Sequence, residues 1–202
     1  MSSSISERIC VSKGNRKLGK VPNLSLPPGI TCYPGAPCLT EGCYAMKAYR
    51  QYANVRQAWQ RNLRVWESSP HLFTVQLSEW LQKHKPELFR WHVGGDIPDP
   101  TYYEKMRLLA HMFSDIKFLC FTKRLEFVAE HIPPRNLRLF ISVWHTPRPG
   151  LPKLPTGVSY AFMDDYTGED FSSHNLQICQ GSCDSCDHLC WYSDKDVLFK
   201  KH

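Results

Sequence analysis

Apolar residues in the first third of the chain recur at helical spacing. Ala48, Tyr52, Val55, Trp59, Leu63 and Trp66 fall three and four positions apart, which predicts one amphipathic helix over 44–66. Lys47, Arg50, Asn54, Gln57, Arg61 and Arg64 share its other side, a cationic stripe able to track phosphates. Ser69-Pro70 has the form of an N-cap with proline at the first helical position, and opens a second helix through Phe73, Leu77, Trp80 and Leu81 that ends before Pro86.

Further along, the period shifts back and forth between two and 3.6. Residues 88–93 predict a strand stopping at Gly94-Gly95-Asp96, and Asp99-Pro100 starts a helix to about 113. Strand 116–121 is followed by a short helix over 123–131, stopped by Pro133-Pro134. Strand 137–144, a proline-rich loop over 146–155, strand 158–163 and a short strand over 175–178 complete the series. Upstream, 21–28 is a first-strand candidate whose prolines assign it to an edge or an irregular strand. Strand–helix alternation defines an α/β fold with a mostly parallel sheet and helices outside it. Periodicity alone leaves open whether that sheet is flat or curved into a partial barrel.

Composition narrows the class. The 202 residues are read as a single α/β domain spanning 1–202, with a basic, exposed arm over about 1–20 and a C-terminal cysteine knot over about 175–192. Hydrophobic residues make up 42% of the chain, yet no apolar run approaches membrane-helix length, so no membrane partner is expected. The first residues lack the apolar core of a secretory signal, which points to a cytoplasmic, reducing setting. The net charge of +6 permits nucleic-acid binding without arguing for it.

Nine cysteines carry the chemistry, and seven of them cluster. Cys179, Cys183, Cys186 and Cys190 are separated by three, two and three residues. A loop this dense in thiols can surround a metal ion or an iron–sulfur cluster with little help from elsewhere. Cys32, Cys38 and Cys43 form a second group on a turning loop between the first strand and first helix. Three thiols are one short of a closed site, leaving a position for a distant residue, a small molecule or water. In a reducing compartment, clustered thiols bind metal more often than they pair.

Parallel α/β folds collect ligands at the carboxyl ends of their strands. Those ends carry the Cys32 group, Gly94-Gly95-Asp96, Thr122-Lys123, His145, Asp164-Asp165 and Cys179 onward. The glycine pair is read as letting a ligand approach the backbone, with Asp96 offering a carboxylate.

A cysteine triad after the first strand, with Gly94-Gly95-Asp96 after the second, resembles the radical S-adenosylmethionine (SAM) enzymes. The resemblance implies a partial (β/α) barrel and a [4Fe-4S] cluster on Cys32, Cys38 and Cys43 with one iron open to SAM. It also implies a contact from Gly94, Gly95 and Asp96 to the SAM amino group. The triad spacing is five and four where that family has three and two, a spacing found instead at Cys179–Cys183–Cys186, and Asp stands where that family has Glu. The wording of residues 17–32, the Cys43-Tyr44-Ala45 helix start and the Cys183-x2-Cys186-x3-Cys190-Trp191 ending resemble the phage gene-product-88 domain proteins. That resemblance implies a viral origin and supports an iron–sulfur reading without naming a reaction.

The expectation is therefore an iron–sulfur protein with one or two [4Fe-4S] clusters, redox or radical chemistry on an unknown substrate, and SAM as a further cofactor. Electron transfer with no substrate stands beside it. The alternative is zinc on the C-terminal cysteines of a non-catalytic module that binds nucleic acid through its Arg50–Arg64 face.

Overall fold

The computed structural model describes residues 7–143, 151–164 and 174–200, with only the backbone of Asp164. In chain order the elements are β1 (Asn23–Leu24), α1 (Cys38–Glu41), α2 (Tyr44–Gln51), α3 (Ala53–Ser68), α4 (Pro70–His84), β2 (Leu88–Trp91), α5 (Pro100–Met112), β3 (Lys117–Thr122), α6 (Leu125–Val128), β4 (Leu137–Val143), β5 (Val158–Asp164), β6 (Leu176–Ile178), α7 (Leu189–Tyr192) and β7 (Asp196–Lys200). Seven strands form one sheet in the order β1-β2-β3-β4-β5-β7-β6, and every neighbouring pair is parallel. The expected α/β class with a mostly parallel sheet is what the chain adopts.

Side chains alternate across the strands. Phe89 and Trp91 of β2, Phe118 and Cys120 of β3, Leu139 and Ile141 of β4, and Tyr160 and Phe162 of β5 pack with the apolar faces of α3, α4 and α5. On the opposite face Leu119, Phe140, Ala161 and Val197 pack with Leu18, Val21 and Trp191. The second face is thus covered by the N-terminal segment and by the β6–β7 connection, which carries four cysteines. The basic residues Lys13, Arg16, Lys17 and Lys20 are exposed, while the segment that carries them is anchored to the sheet. Leu18 is only 2% exposed, Ser12 pairs with Asn23 of β1, and the Lys17 carbonyl accepts from Cys183 N at 2.8 Å.

Both predicted proline-led helix starts are present. Ser69 Oγ accepts from Leu72 N at 3.1 Å, and Asp99 Oδ1 from Tyr102 N at 2.9 Å, each satisfying a first-turn N–H. Asp99 also receives the Trp66 indole N–H at 3.0 Å. The predicted 44–66 helix is instead two. Tyr52 leaves helical geometry at φ −110, ψ 111, and the Arg56 guanidinium turns back to donate to the Tyr49 and Arg50 carbonyls at 3.3 and 3.2 Å. Those bonds replace helical partners that the break removes. The predicted first strand shrinks to two residues, because prolines flank it. The helix expected over 123–131 is a single turn, and β7 lies beyond the last strand expected from the sequence.

Candidate functional site

The residues that position the site come from both ends of the chain. Between β1 and α2 the backbone turns repeatedly, with Gly35 and Gly42 at φ 74 and 113, so that Cys38 begins α1 and Cys43 N-caps α2. Between β6 and β7, Asp187 and His188 are consecutive left-handed residues at φ 48 and 56. Two non-glycine residues in that region are costly unless the surroundings enforce them. Here they turn the chain between Cys186 and Cys190, helped by His188 N donating to the Cys183 carbonyl at 3.1 Å.

These two loops meet. Cys32, Cys38 and Cys43 line the same cavity of about 380 Å³ as Cys179, Cys183, Cys186 and Cys190. Its floor is the second face of the sheet, with Leu119, Phe121 and Phe199, and Trp191 closes one side. It reaches the carboxyl ends of the strands, where Val93–Asp96, Lys123, Val143 and Met163 line it. All seven thiols singled out in the sequence are therefore in one place, together with Gly94, Gly95 and Asp96. His145 and Asp165 lie outside the described residues, as does the side chain of Asp164.

All nine cysteines are free. Cys120 is apart, buried on the helix-covered face, and Cys10 N donates to Asn62 Oδ1 at 2.6 Å on the far side of α3. Several cavity sulfurs accept N–H bonds: Cys32 from Gly29 N at 3.3 Å, Cys179 from Gly181 N at 3.5 Å, and Cys190 from Gln177 Nε2 at 3.5 Å. Burial pushes the Cys32 and Cys183 thiols up, and Cys190 up to about 12. Cys43 goes the other way, down to about 6. The Cys38 thiol donates to it, the Met46 and Ala45 N–H groups at the start of α2 point at it, and Lys123 is near. The cavity wall is cationic where the thiols are. Lys123 favours thiolate at the first group, and Arg90 and Lys17 at Cys183.

Arg90 was not legible as a site residue. It sits on β2 between apolar neighbours, where an alternating polar position reads as solvent-facing. Its guanidinium instead stacks 4.2 Å over the Phe121 ring and donates to the Trp91 carbonyl at 3.0 Å. Trp191 follows the last cavity cysteine in the sequence. It is 4% exposed, and its indole N–H donates to the Phe89 carbonyl at 3.3 Å.

The Gly94-Gly95-Asp96 turn has a structural cause that the sequence did not show. A Cβ on Gly94 would run into the Trp59 ring, and one on Gly95, at φ +77, would meet Thr31 Oγ1 and the Leu26 carbonyl. The glycines thus allow close packing against α3 and the segment after β1. Asp96, 5% exposed, accepts from Ile97 N at 2.8 Å, Thr122 Oγ1 at 2.5 Å and Lys123 N at 2.9 Å. Burial raises its pKa and these three donors oppose the rise. The carboxylate ties the end of β2 to the end of β3.

His92 also lines the cavity, buried and at φ 55. Its Nε2 is 3.1 Å from Tyr102 Oη, and its Nδ1 is 3.7 Å from Cys120 Sγ. Burial, helped by the nearby Arg90 charge, pushes it down to about 3. Between that value and the ordinary histidine pKa the unfolded chain binds a proton that the folded chain does not, so stability falls as pH drops from about 6.5 towards 3. The loss is absent above that window and grows to about 5 kcal/mol at its acid end. His92→Asn, which tolerates the left-handed backbone, is expected to flatten the stability slope over this range. Urea melts at a series of pH values, wild type beside variant, measure it; equal slopes would show that His92 does not titrate in this way.

Among the described residues no group of three or more His, Cys, Asp or Glu side chains is gathered to hold a single metal ion. No helix among them is long and apolar enough to cross a membrane.

Fold and site together define a parallel α/β protein with a thiol-lined, cation-walled cavity on one sheet face. The profile of the family described as Gene product 88 matches residues 8–171. The Gene 88 protein of Mycobacterium phage D29 is 28% identical over 143 residues, a match covering 64% of this chain and 59% of that relative's length. No solved structure matches the chain. The chain belongs to the Gene product 88 family, and its kinship is with a bacteriophage protein.

Proposed function

We propose that this chain is an iron–sulfur protein whose cavity holds one or two [4Fe-4S] clusters for redox or radical chemistry. The observation that carries the reading is the meeting of seven thiols, from loops at opposite ends of the sequence, around one cavity walled by Lys17, Arg90 and Lys123. The donor set fits the group. Thiolates are the usual ligands of such clusters, N–H bonds to sulfur tune them, and the cations offset the negative charge of several thiolates. A cubane presents each iron to a separate thiolate, so its ligands ring a wider space than the single point a lone ion requires.

On this reading Cys179, Cys183, Cys186 and Cys190 form a complete ligand set. Cys32, Cys38 and Cys43 form a set of three, completed by a thiol of the other group or by a small molecule. Bound there, a cluster would supply one-electron chemistry. The chain's own part is to hold Cys43 as thiolate at neutral pH, to place Lys123 and Arg90 beside the sulfurs, and to keep water from the floor with Phe121 and Trp191. SAM is the small molecule that the radical-SAM-like placement of the triad after β1 favours, and its substrate is unassigned. Nine free thiols favour the reducing cytoplasm of the host cell.

Anaerobic reconstitution followed by Mössbauer and EPR spectroscopy tests the reading. Cys38→Ser is expected to change the signal of one cluster and leave any signal from the C-terminal set. A spectrum unchanged by the substitution removes Cys38 from the ligands, and a colourless protein holding zinc in place of iron overturns the proposal.

A further inference from the structure

The break at Tyr52 divides the cationic stripe predicted on a single helix into two unlike parts. On α3, Arg64 is committed to Glu7, with Nη2 2.5 Å from Oε1 and Nε 3.0 Å from Oε2. On α2, Lys47 and Arg50 are exposed and face a shallow groove of about 600 Å³. Leu39 and Met46 give the groove an apolar lining, Gln51 adds an amide, and no carboxylate among the described residues lines it. Tyr52, which follows Gln51 at the break, is 50% exposed. Cys43 lines both this groove and the thiol cavity, so the groove leads to the cavity mouth.

We infer that the α2 groove binds single-stranded nucleic acid, with Lys47 and Arg50 on the phosphates and the Tyr52 ring as a stacking surface for a base. Two cations three positions apart on a helix are neighbours on its surface, and can serve phosphates of one strand. A cationic groove combined with an exposed aromatic ring is the arrangement that holds single strands without reading their sequence. A duplex would meet only the rim of a concave site beside an eight-residue helix. An acidic peptide would satisfy the charges but leave the ring and the apolar lining without a planar partner. The inference needs no bound cluster, because none of the proposed contacts is a thiol.

The test is fluorescence anisotropy with a labelled single-stranded oligonucleotide of about ten nucleotides, a duplex of the same length and poly-glutamate as competitor. Lys47→Glu with Arg50→Glu is expected to weaken single-strand binding about tenfold or more, while the equal charge change Lys83→Glu with Lys153→Glu has a much smaller effect. Lys47→Gln with Arg50→Gln, a milder pair at exposed positions, should lower the slope of log affinity against log salt by about 1.4. Thermal melts confirm that each variant is folded. Absence of single-strand binding, a duplex bound as tightly, competition by poly-glutamate at equal charge, or equal loss in both charge-reversal pairs would each overturn the inference. Metal counts on the same samples separate its failure from failure of the cluster reading.

Discussion

Changing Cys183 and Cys186 together to serine is expected to lower the iron and sulfide of the reconstituted protein by about four of each per chain. The melting temperature should fall by about 10 °C or more, because metal binding at a site absent from the unfolded chain is part of the folding free energy. The physical warrant lies in what these residues hold. Cys183 N is bonded to the Lys17 carbonyl, and its own carbonyl accepts from His188 N and Cys186 N. On the proposed reading, losing a cluster from this group would loosen the N-terminal segment as well as the β6–β7 connection. Iron and sulfide assays with calorimetry check both outcomes. Full metal content and an unchanged melting temperature in the double variant would show that these thiols are not ligands.

Asp96→Ala is expected to destabilise the fold strongly. It leaves the Ile97 and Lys123 N–H groups and the Thr122 hydroxyl without their acceptor, and buried donors stripped of a partner cost about 1–3 kcal/mol each. Water entering from the adjoining cavity recovers part of that. A net loss of about 3 kcal/mol corresponds to a melting temperature lowered by about 6–12 °C in a chain of this size. Calorimetry of the metal-free protein gives this number directly. SAM titration of the reconstituted wild type and variant then asks a separate question. A tie between strand ends predicts lost stability with SAM affinity nearly unchanged, whereas a direct contact to an ammonium group predicts affinity lost about tenfold or more.

Much of the sheet was legible because its signals are local. Ser69 and Asp99 cap helices through their own side chains, and the residue pairs that announce them sit side by side in the sequence. The strands at 88–91, 117–122 and 137–143 are apolar runs bounded by turns. What escaped depends on contacts distant in sequence or on chemistry without a periodic signature. The helix break at Tyr52 is stabilised by Arg56 four residues on, and nothing in the apolar spacing marks it. Gly94 and Gly95 read equally well as room for a ligand or for Trp59 and Leu26, and only the packed chain distinguishes them. The seven cavity cysteines were all visible as residues. Their place at the strand ends was legible too, but not the route by which the β6–β7 connection crosses the second sheet face to meet the loop after β1.

The strand order of the sheet also sets a sequence of events during assembly. β7 is the last of the seven to be synthesised, yet it is an interior strand, hydrogen-bonded on one side to β5 and on the other to β6. Until it has inserted, β6 has no partner in the sheet and the stretch from Cys179 to Cys190 is tethered at only one end. The loop after β1, by contrast, leaves the ribosome more than a hundred residues earlier. The two thiol groups therefore mature at different times. The loop that carries the first is made before β7, and the second comes into place together with the insertion of β7.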